Sequence, residues 1–365
     1  MTSGNMGTEM RLADLGWDPF FERNFAGFRD QGHTPMRINR EDRGKYLAFS
    51  ELGEYTCELS GKYRFSSNDM TLTPSVGDWV AAAAYPDEAK AVIHAVLPRK
   101  SSFSRKAAGQ TTDEQAIAAN IDTVFIVAGL DMNYNIRRIE RSLAMAWNSG
   151  ATPVVLLNKS DLCPETAARK LEVESIAIGV DVHALSAATD AGMDILQKYL
   201  QPGRTVAFIG SSGVGKSTII NRLLGADRLS TNTVSDVTSK GRHTTTHREL
   251  MALPGGGLVI DTPGMREIQV WGDEEGLKQT FSDIEELSAG CKFRDCGHDH
   301  EPGCAVQKAI QSGTLDIKRA ESYFKLRAEF SHLAARQVMK ASALEKKRWK
   351  GVSKEVKRMK KNGDL

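Results

Sequence analysis

Residues 210–217 have the sequence GSSGVGKS and fit the phosphate-loop pattern G-x-x-x-x-G-K-[ST]. They lie between an apolar segment, TVAFI, and a segment with a helical apolar pattern, which is the setting that such a loop requires. The glycines let backbone N–H groups turn toward phosphate oxygens, Lys216 would reach the β- and γ-phosphates, and the Ser217 hydroxyl would bind Mg²⁺. The predicted phosphate contacts are Gly210, Ser211, Ser212, Gly213, Val214, Gly215, Lys216, Ser217 and Thr218.

A second motif, NKSD at 158–161, follows the apolar segment PVVLL and indicates guanine as the base. The Asp161 carboxylate has two acceptors that match guanine N1–H and N2–H₂, a pair of donors that adenine lacks. The Lys159 stem packs over the ring, while Asn158 holds either the phosphate loop or the O6 side of the base. LSA at 185–187 matches a backbone contact to O6. The expected ligands are therefore GTP and GDP, and the predicted guanine contacts are Asn158, Lys159, Ser160, Asp161, Ser186 and Ala187.

Two further segments have the sequences of nucleotide switches. DTPG at 261–264 ends an apolar segment, so Asp261 is predicted to hold the water shell of Mg²⁺ and the Gly264 N–H to sense the γ-phosphate. GRHTTTH at 241–247 lies between the phosphate loop and DTPG. One of its three threonines is expected to reach Mg²⁺ only when the γ-phosphate is present, and we favour Thr245. The predicted magnesium ligands are Ser217 and Thr245.

Met265 directly follows DTPG, at a position where many GTPases have a Gln that orients the attacking water. A thioether cannot orient water in that way, so hydrolysis by the isolated chain is expected to be slow. Another group must order the water, and His243 is the candidate within the chain. The predicted catalytic residues are Lys216, Thr245 and His243.

Three of the five cysteines form a cluster with the spacing Cys291-x₄-Cys296-x-His298-x₅-Cys304. Three thiolates and one imidazole are the ligand set of a closed, tetrahedral zinc site. His300 is an alternative imidazole ligand. Four protein ligands leave no open position for catalysis, so one Zn²⁺ per chain is expected to stabilise a small C-terminal module.

These motifs must be positioned by a sheet, because the nucleotide motifs each follow a short apolar segment. Near-continuous apolar strands alternate with helices, which is typical of a mostly parallel, doubly wound α/β sheet. The predicted strands are 121–128, 153–157, 181–185 and 205–209. The predicted helices are 137–147, 165–176, one that ends near Leu200 and one that begins near Lys216, and RELMAL and GLVID are expected to form a hairpin. NKSD and LSA precede the phosphate loop, whereas they follow it in ordinary GTPases, so the domain is circularly permuted.

Upstream of this sheet, residues 46–97 contain about five short alternating or apolar stretches separated by turn residues, which predicts a β-barrel of the oligonucleotide-binding (OB) type. The segment RKSSFSRKAAGQTTDEQ is interpreted as a linker, and residues 313–361 have a helical pattern. The expected domains are an N-terminal extension (1–40), an OB-like β-barrel (41–100), a circularly permuted P-loop α/β GTPase domain (101–272), a zinc-binding helical module (273–338) and a basic helical tail (339–365).

Composition fits a multidomain globular protein of 365 residues, with 41% hydrophobic side chains. Basic and acidic side chains nearly balance at 48 and 46, but residues 340–365 carry ten Lys or Arg and three Asp or Glu. Such a tail is typical of nucleic-acid or anionic-surface contacts, or of a solvated helix. No apolar run approaches the roughly 18 residues of a membrane helix, so we expect a cytoplasmic protein without membrane contacts.

The permuted motif order, the preceding barrel, GRHTTTH and the trailing Cys/Cys/His/Cys cluster together resemble the RsgA (YjeQ) family of small-ribosomal-subunit biogenesis GTPases. The resemblance implies an enzyme that binds the 30S subunit, hydrolyses GTP and leaves during late maturation. We expect a monomer whose barrel and zinc module dock on 16S rRNA. Because Met265 cannot orient water, we also expect the docked subunit to stimulate hydrolysis. Two other interpretations stay open. One is an RNA-binding module that uses the phosphate loop as a ligand-locked switch, and the other is a phosphate-loop ATPase or small-molecule kinase.

Overall fold

The structure is a computed structural model. It describes residues 11–42, 44–61, 63, 73–106, 114–226, 229, 248–261, 275–299, 301–332 and 334–335. Several sequence predictions lie outside these residues, namely the GRHTTTH segment with His243 and Thr245, Gly264 and Met265, His300 and the basic tail.

The N-terminal part is a closed five-stranded barrel preceded by a helix, α1 (Pro19–Arg29). Its strands are β1 (Thr34–Asp42), β2 (Lys45–Ser50), β3 (Gly53–Leu59), β4 (Trp79–Tyr85) and β5 (Lys90–Val96). They pair in the order β1-β2-β3-β5-β4, and β4 pairs again with β1, which closes the barrel. The β3–β5 pair is parallel and the other barrel pairs are antiparallel. The predicted OB-like barrel is confirmed.

The region interpreted as an N-terminal extension differs from the prediction, because α1 and most of β1 lie before residue 41. Phe21 and Phe25 of α1 are buried and pack with Trp17 against Trp79 of the barrel. The sequence did not predict this strand because β1 buries a polar side chain, Arg37. The Arg37 guanidinium donates hydrogen bonds to the carbonyls of residues 15, 77 and 120. A buried arginine removes the apolar alternation by which a strand is recognised.

The segment interpreted as a linker also differs, since much of it forms an antiparallel pair of strands, β6 (Ser102–Lys106) and β7 (Glu114–Ala119). Ile117 and Ala118 of β7 are buried in the core that the barrel and the next domain share. The basic and polar residues of this segment give no apolar alternation, so the sequence did not predict these strands. The pair therefore connects the two domains by packing as well as by the chain.

The next domain contains a six-stranded sheet of β8 (Thr123–Gly129), β9 (Thr152–Asn158), β10 (Asp181–Ala184), β11 (Thr205–Ile209), β12 (Glu249–Ala252) and β13 (Leu258–Asp261). The order is β10-β9-β8-β11-β13-β12, with every pair parallel except β12–β13. Alternate residues of the buried strand β8 enter two different apolar cores, Phe125 and Val127 on one face and Ile126 and Ala128 on the other. The predicted doubly wound sheet is therefore confirmed.

Three helices of this domain are α2 (Ile136–Asn148), α3 (Thr166–Ile176) and α4 (Lys216–Leu224). The helix predicted near Leu200 is instead a 3-10 helix, Met193–Lys198. At the far edge of the sheet, Arg40 of β1 pairs with Glu249 of β12, so the sheet continues into the barrel.

The C-terminal part is helical and contains α5 (Glu275–Thr280), α6 (Ser282–Ser288), α7 (Ala305–Gln311) and a further helix over residues 317–332, here called α8. Its core is a separate apolar cluster that includes Phe281, Ile284, Val306 and Phe330. The cysteine cluster lies between α6 and α7 and at the start of α7. No helix in the described part of the chain is long and apolar enough to cross a membrane.

Candidate nucleotide and metal sites

The phosphate loop joins the end of β11 to the start of α4 at the carboxyl edge of the parallel strands. Gly210 has φ of +146°, and a Cβ there would lie 2.3 Å from the Val127 carbonyl oxygen, so only glycine fits. Lys216 bends back over the loop, and its ammonium donates to the carbonyls of Gly210 at 2.7 Å and Ser211 at 2.6 Å. Ser217 and Thr218 lie in the first turn of α4 and are half-buried. The loop therefore has the conformation and the setting of a phosphate site.

Asn158 joins three loops. Its side chain is 2% exposed. Its Nδ2 donates to the Val214 carbonyl at 2.8 Å, and its Oδ1 accepts from the Ala187 N–H at 3.0 Å. A Cβ at Gly215 would lie 2.1 Å from Asn158 Nδ2, so the close approach requires glycine. Of the two roles left open by the sequence, holding the loops is the one that the structure supports.

The remaining residues of NKSD lie in a tight turn beside the end of β10. Lys159 has φ of +66°, and residues 160–162 form a single 3-10 turn. The Ser160 N–H donates to the Leu185 carbonyl at 3.2 Å, while Asp161 is exposed. NKSD and the LSA tripeptide are thus hydrogen-bonded to each other at the same sheet edge as the phosphate loop. Within the tripeptide, Ser186 and Ala187 are buried.

Asp261 is the last residue of β13, and its neighbour Ile260 pairs with Ala207 of β11. Asp261 therefore lies at the same edge of the sheet as the phosphate loop, as expected for a group that acts on Mg²⁺ near the phosphates. The predicted partners Gly264, Thr245 and His243 lie outside the described residues.

Sequence reasoning missed Asp131, which follows β8 at this edge. Its Oδ2 accepts a hydrogen bond from Lys159 Nζ at 2.6 Å, and its Oδ1 accepts from the Asn133 N–H at 2.9 Å. Burial raises the pKa of Asp131, but its hydrogen bonds and the positive charge of Lys159 together lower it by more, so its pKa lies below its usual range. An acidic residue just beyond a buried strand was the signal available in the sequence.

A groove open to solvent lies between the phosphate loop and the start of α2. Its polar lining includes Asn133, Asn135, Arg138, Ser142 and Ser211. The residues from α2 and the loop before it were also missed by the sequence analysis, because no motif marks them.

The cysteine cluster brings four ligand atoms within 4.8 Å of one another, from Cys291, Cys296, His298 and Cys304. His298 Nδ1 lies 3.6 Å from the sulfur of Cys291 and 3.5 Å from that of Cys304, and these two sulfurs are 3.9 Å apart. Separations of about 3.5–3.8 Å are those of ligands around a tetrahedral Zn²⁺. Backbone N–H groups of Ala305 and residue 307 point at the sulfurs of Cys291 and Cys304, each at 3.4 Å, and suit thiolates. The residues therefore fit zinc.

Comparison with known proteins gives the family. Residues 96–271 match the family model described as RsgA GTPase. The "small ribosomal subunit biogenesis GTPase RsgA" of Opitutus terrae is 47% identical over 352 residues, which cover 94% of this chain and 96% of that protein. The protein of the same name from Syntrophotalea carbinolica is 44% identical over 357 residues, which cover 96% and 98%. The chain belongs to the RsgA GTPase family.

Solved structures agree with this RsgA assignment. YjeQ from Thermotoga maritima superimposes with a TM-score of 0.61 at 30% identity and covers 82% of this chain and 98% of its own. YloQ, described as a circularly permuted GTPase, gives 0.60 at 25% identity and covers 82% and 96%. The predicted permutation is confirmed by this similarity. NKSD precedes the phosphate loop in the chain, yet the phosphate-loop strand β11 lies between β8 and β13 in the sheet.

Proposed function

We propose that this RsgA-family GTPase acts in late maturation of the small ribosomal subunit, where it hydrolyses GTP to GDP and phosphate. The observation that carries the proposal is the buried Asn158 side chain, which binds the phosphate loop and the LSA loop at once. These two hydrogen bonds hold the loops that carry the predicted phosphate and base contacts next to each other, which supports one nucleotide site. The relatives' names, which refer to small ribosomal subunit biogenesis, support the biological process.

In the proposed reaction, the oxygen of a water molecule attacks the γ-phosphorus, and the bond to the bridging oxygen of GDP breaks. Lys216 would offset the charge that develops on the β- and γ-phosphate oxygens, and Asp161 would hold the guanine edge. Ser217 and Thr245 would ligate Mg²⁺, which supplies charge neutralisation when bound. Since Met265 cannot orient the water, either His243 or the docked 30S subunit would do so.

The same proposal assigns one structural Zn²⁺ to Cys291, Cys296, His298 and Cys304. The metal, when bound, would close the connection between α6 and α7, where few apolar side chains are available for a core. The chain itself supplies the four converging ligand atoms and the N–H···S contacts to Cys291 and Cys304.

We further propose that the barrel and the zinc module dock on 16S rRNA of the 30S subunit and that GTP hydrolysis releases the protein. The basic residues 340–365 support contact with an anionic partner. The protein would act as a monomer in the cytoplasm, without membrane contacts. The limits predicted for the zinc-binding module (273–338) and for the basic tail (339–365) remain part of this proposal, whereas the barrel begins before residue 41.

The test is multiple-turnover phosphate release from GTP, measured with and without purified 30S subunits, with Lys216→Ala as the inactive reference. Slow turnover alone and faster turnover with 30S subunits are expected. Binding of GTP without multiple turnover in either condition would favour the rival in which the phosphate loop is only a ligand-locked switch. Equal binding of ATP and GTP would favour an ATPase or kinase.

A further inference from the structure

The loop that joins β8 to α2 contacts the predicted guanine site from the side. Asp131 in this loop accepts a hydrogen bond from Lys159 of NKSD, with 2.6 Å between Oδ2 and Nζ. The second carboxylate oxygen is held by the Asn133 N–H at 2.9 Å. The side chains of Asp131 and Lys159 are 21% and 25% exposed, so water competes only weakly for the pair. The carboxylate therefore fixes the position of the Lys159 ammonium.

A second contact holds the same loop in place. The Tyr134 hydroxyl donates to a carboxylate oxygen of Glu172 at 3.0 Å, and the Arg169 guanidinium lies over the Tyr134 ring at 5.0 Å from its centroid. Glu172 and Arg169 belong to α3, the helix that follows NKSD. Because the loop is attached to α3 as well as to Lys159, Asp131 cannot easily move with the lysine.

We propose that Asp131 is a positioning residue for the guanine base, and this inference rests on the guanine site proposed above. A lysine side chain has several rotatable bonds, and ordering it on binding costs conformational entropy. Asp131 holds the Lys159 ammonium to one side before the nucleotide arrives, so that the methylene stem is already ordered as a platform for one face of the ring. Binding is then tighter because the ordering cost has been met during folding.

The matched test compares Asp131→Asn with Asp181→Asn. Both changes keep the size of the side chain and remove a Lys–Asp pair, but Asp181 pairs with Lys198 at 2.8 Å at the amino end of β10, away from the site. Binding of fluorescent GDP to the full chain is measured at equilibrium. We expect Asp131→Asn to raise Kd about five- to twentyfold, the effect of a lost charge-assisted hydrogen bond, and Asp181→Asn to leave Kd unchanged.

Three further measurements separate positioning from a general structural role. The kcat at saturating GTP stays unchanged, because the platform does not contact the phosphates. In an Asp161→Asn background, Asp131→Asn weakens xanthosine diphosphate binding by the same factor, because stacking does not depend on the base edge. In a Lys159→Met background, Asp131→Asn has no further effect on Kd, since the lysine through which it acts is gone.

An unchanged or lower Kd for GDP in Asp131→Asn would overturn the inference, since a lower Kd would mean that Asp131 competes with the nucleotide for Lys159. Additive effects with Lys159→Met would overturn it as well, as would a parallel fall in kcat and in the melting temperature without nucleotide. Failure of the unmutated protein to prefer GDP over ADP would instead overturn the proposed function on which the inference rests.

Discussion

A buried group of charges attaches the C-terminal module to α2 and permits a quantitative test. Glu140 of α2 is fully buried, and its Oε1 accepts hydrogen bonds from Arg319 of α8 at 3.0 Å and from Arg137 at 2.6 Å. Arg319 also donates to both carboxylate oxygens of Asp283 at 2.7 and 2.6 Å. Replacing Arg319 by methionine keeps much of the side-chain volume but removes the charge that compensates Glu140.

The expected loss follows from what is left behind. Removing one partner of a buried ion pair costs about 3–5 kcal/mol, because the other charge stays buried without compensation. Arg137 would still donate to Glu140, and the Asp283 side chain is 31% exposed and reaches water, so we expect about 3 kcal/mol, the low end of that range. Within the described part of the chain, Glu140 Oε2 has no hydrogen-bond partner, so desolvation of this carboxylate is incompletely offset. The double variant Glu140→Leu with Arg319→Met should therefore lie within about 1 kcal/mol of the unmutated protein.

The assay is urea unfolding of the full, zinc-loaded chain. Unfolding of the C-terminal module is monitored by the colour that a chelator develops when zinc is released. Arg319→Met should lower the urea midpoint of zinc release, and the double variant should restore most of it. Arg141→Met is the control, because it breaks a pair with Glu329 between the same two helices, and each of its side chains is about a third exposed, so the loss should be below about 1 kcal/mol. A double variant as unstable as Arg319→Met would refute the reasoning. It would show that the Glu140–Arg319 pair stabilises the fold by far more than the free energy lost in burying its two charges.

Three other outcomes are expected. Asp161→Asn should weaken GTP binding about ten- to a hundredfold, the loss of a hydrogen bond to a charged group, and shift preference toward xanthine nucleotides in a competition assay; an unchanged preference would contradict the guanine assignment. Purified protein should carry about one zinc per chain by elemental analysis, and Cys296→Ser should lose it while GDP binding persists; zinc-free native protein would exclude the site. Because Met265 cannot orient water, 30S subunits should raise turnover at least about tenfold, and Ser217→Ala should reduce the rate in both conditions; equal rates with and without 30S at low salt would rule out this activation.

The permuted nucleotide domain was predictable because its local signals agree with its fold. β8 and β9 are nearly continuous apolar segments, as parallel strands buried on both faces must be, and β9 ends where NKSD begins. The phosphate loop and NKSD need particular residue types at fixed spacing, so both can be recognised from the sequence alone. The cysteine spacing is equally explicit, since a tetrahedral metal site admits few ligand sets.

The features that were missed depend on contacts between residues far apart in the chain. β1 did not alternate because Arg37 is buried by carbonyls that only the folded chain brings together. Asp131 became significant only when the sheet placed it beside Lys159, 28 residues away. Glu140 and Arg319 are separated by 179 residues, and neither stands in a motif. Hydrophobic periodicity reports which face of an element is covered, but it cannot report which polar group on another element completes a buried pair.

The permutation also explains why α2 matters for the C-terminal module. After Asp261 the chain proceeds to α5, and α5 packs directly on α2: the Gly276 N–H donates to Asn148 Oδ1 at 2.9 Å, and a Cβ at Gly276 would lie 2.4 Å from the Ala144 carbonyl oxygen. The start of α2 lines the groove beside the phosphate loop, and its middle bears the Glu140 pair. The segment that follows the predicted switch therefore packs on α2, and the buried ion pair involves the same helix. The proposed zinc would close the module locally, whereas the attachment of the module to the nucleotide domain depends on the packing and charges of α2.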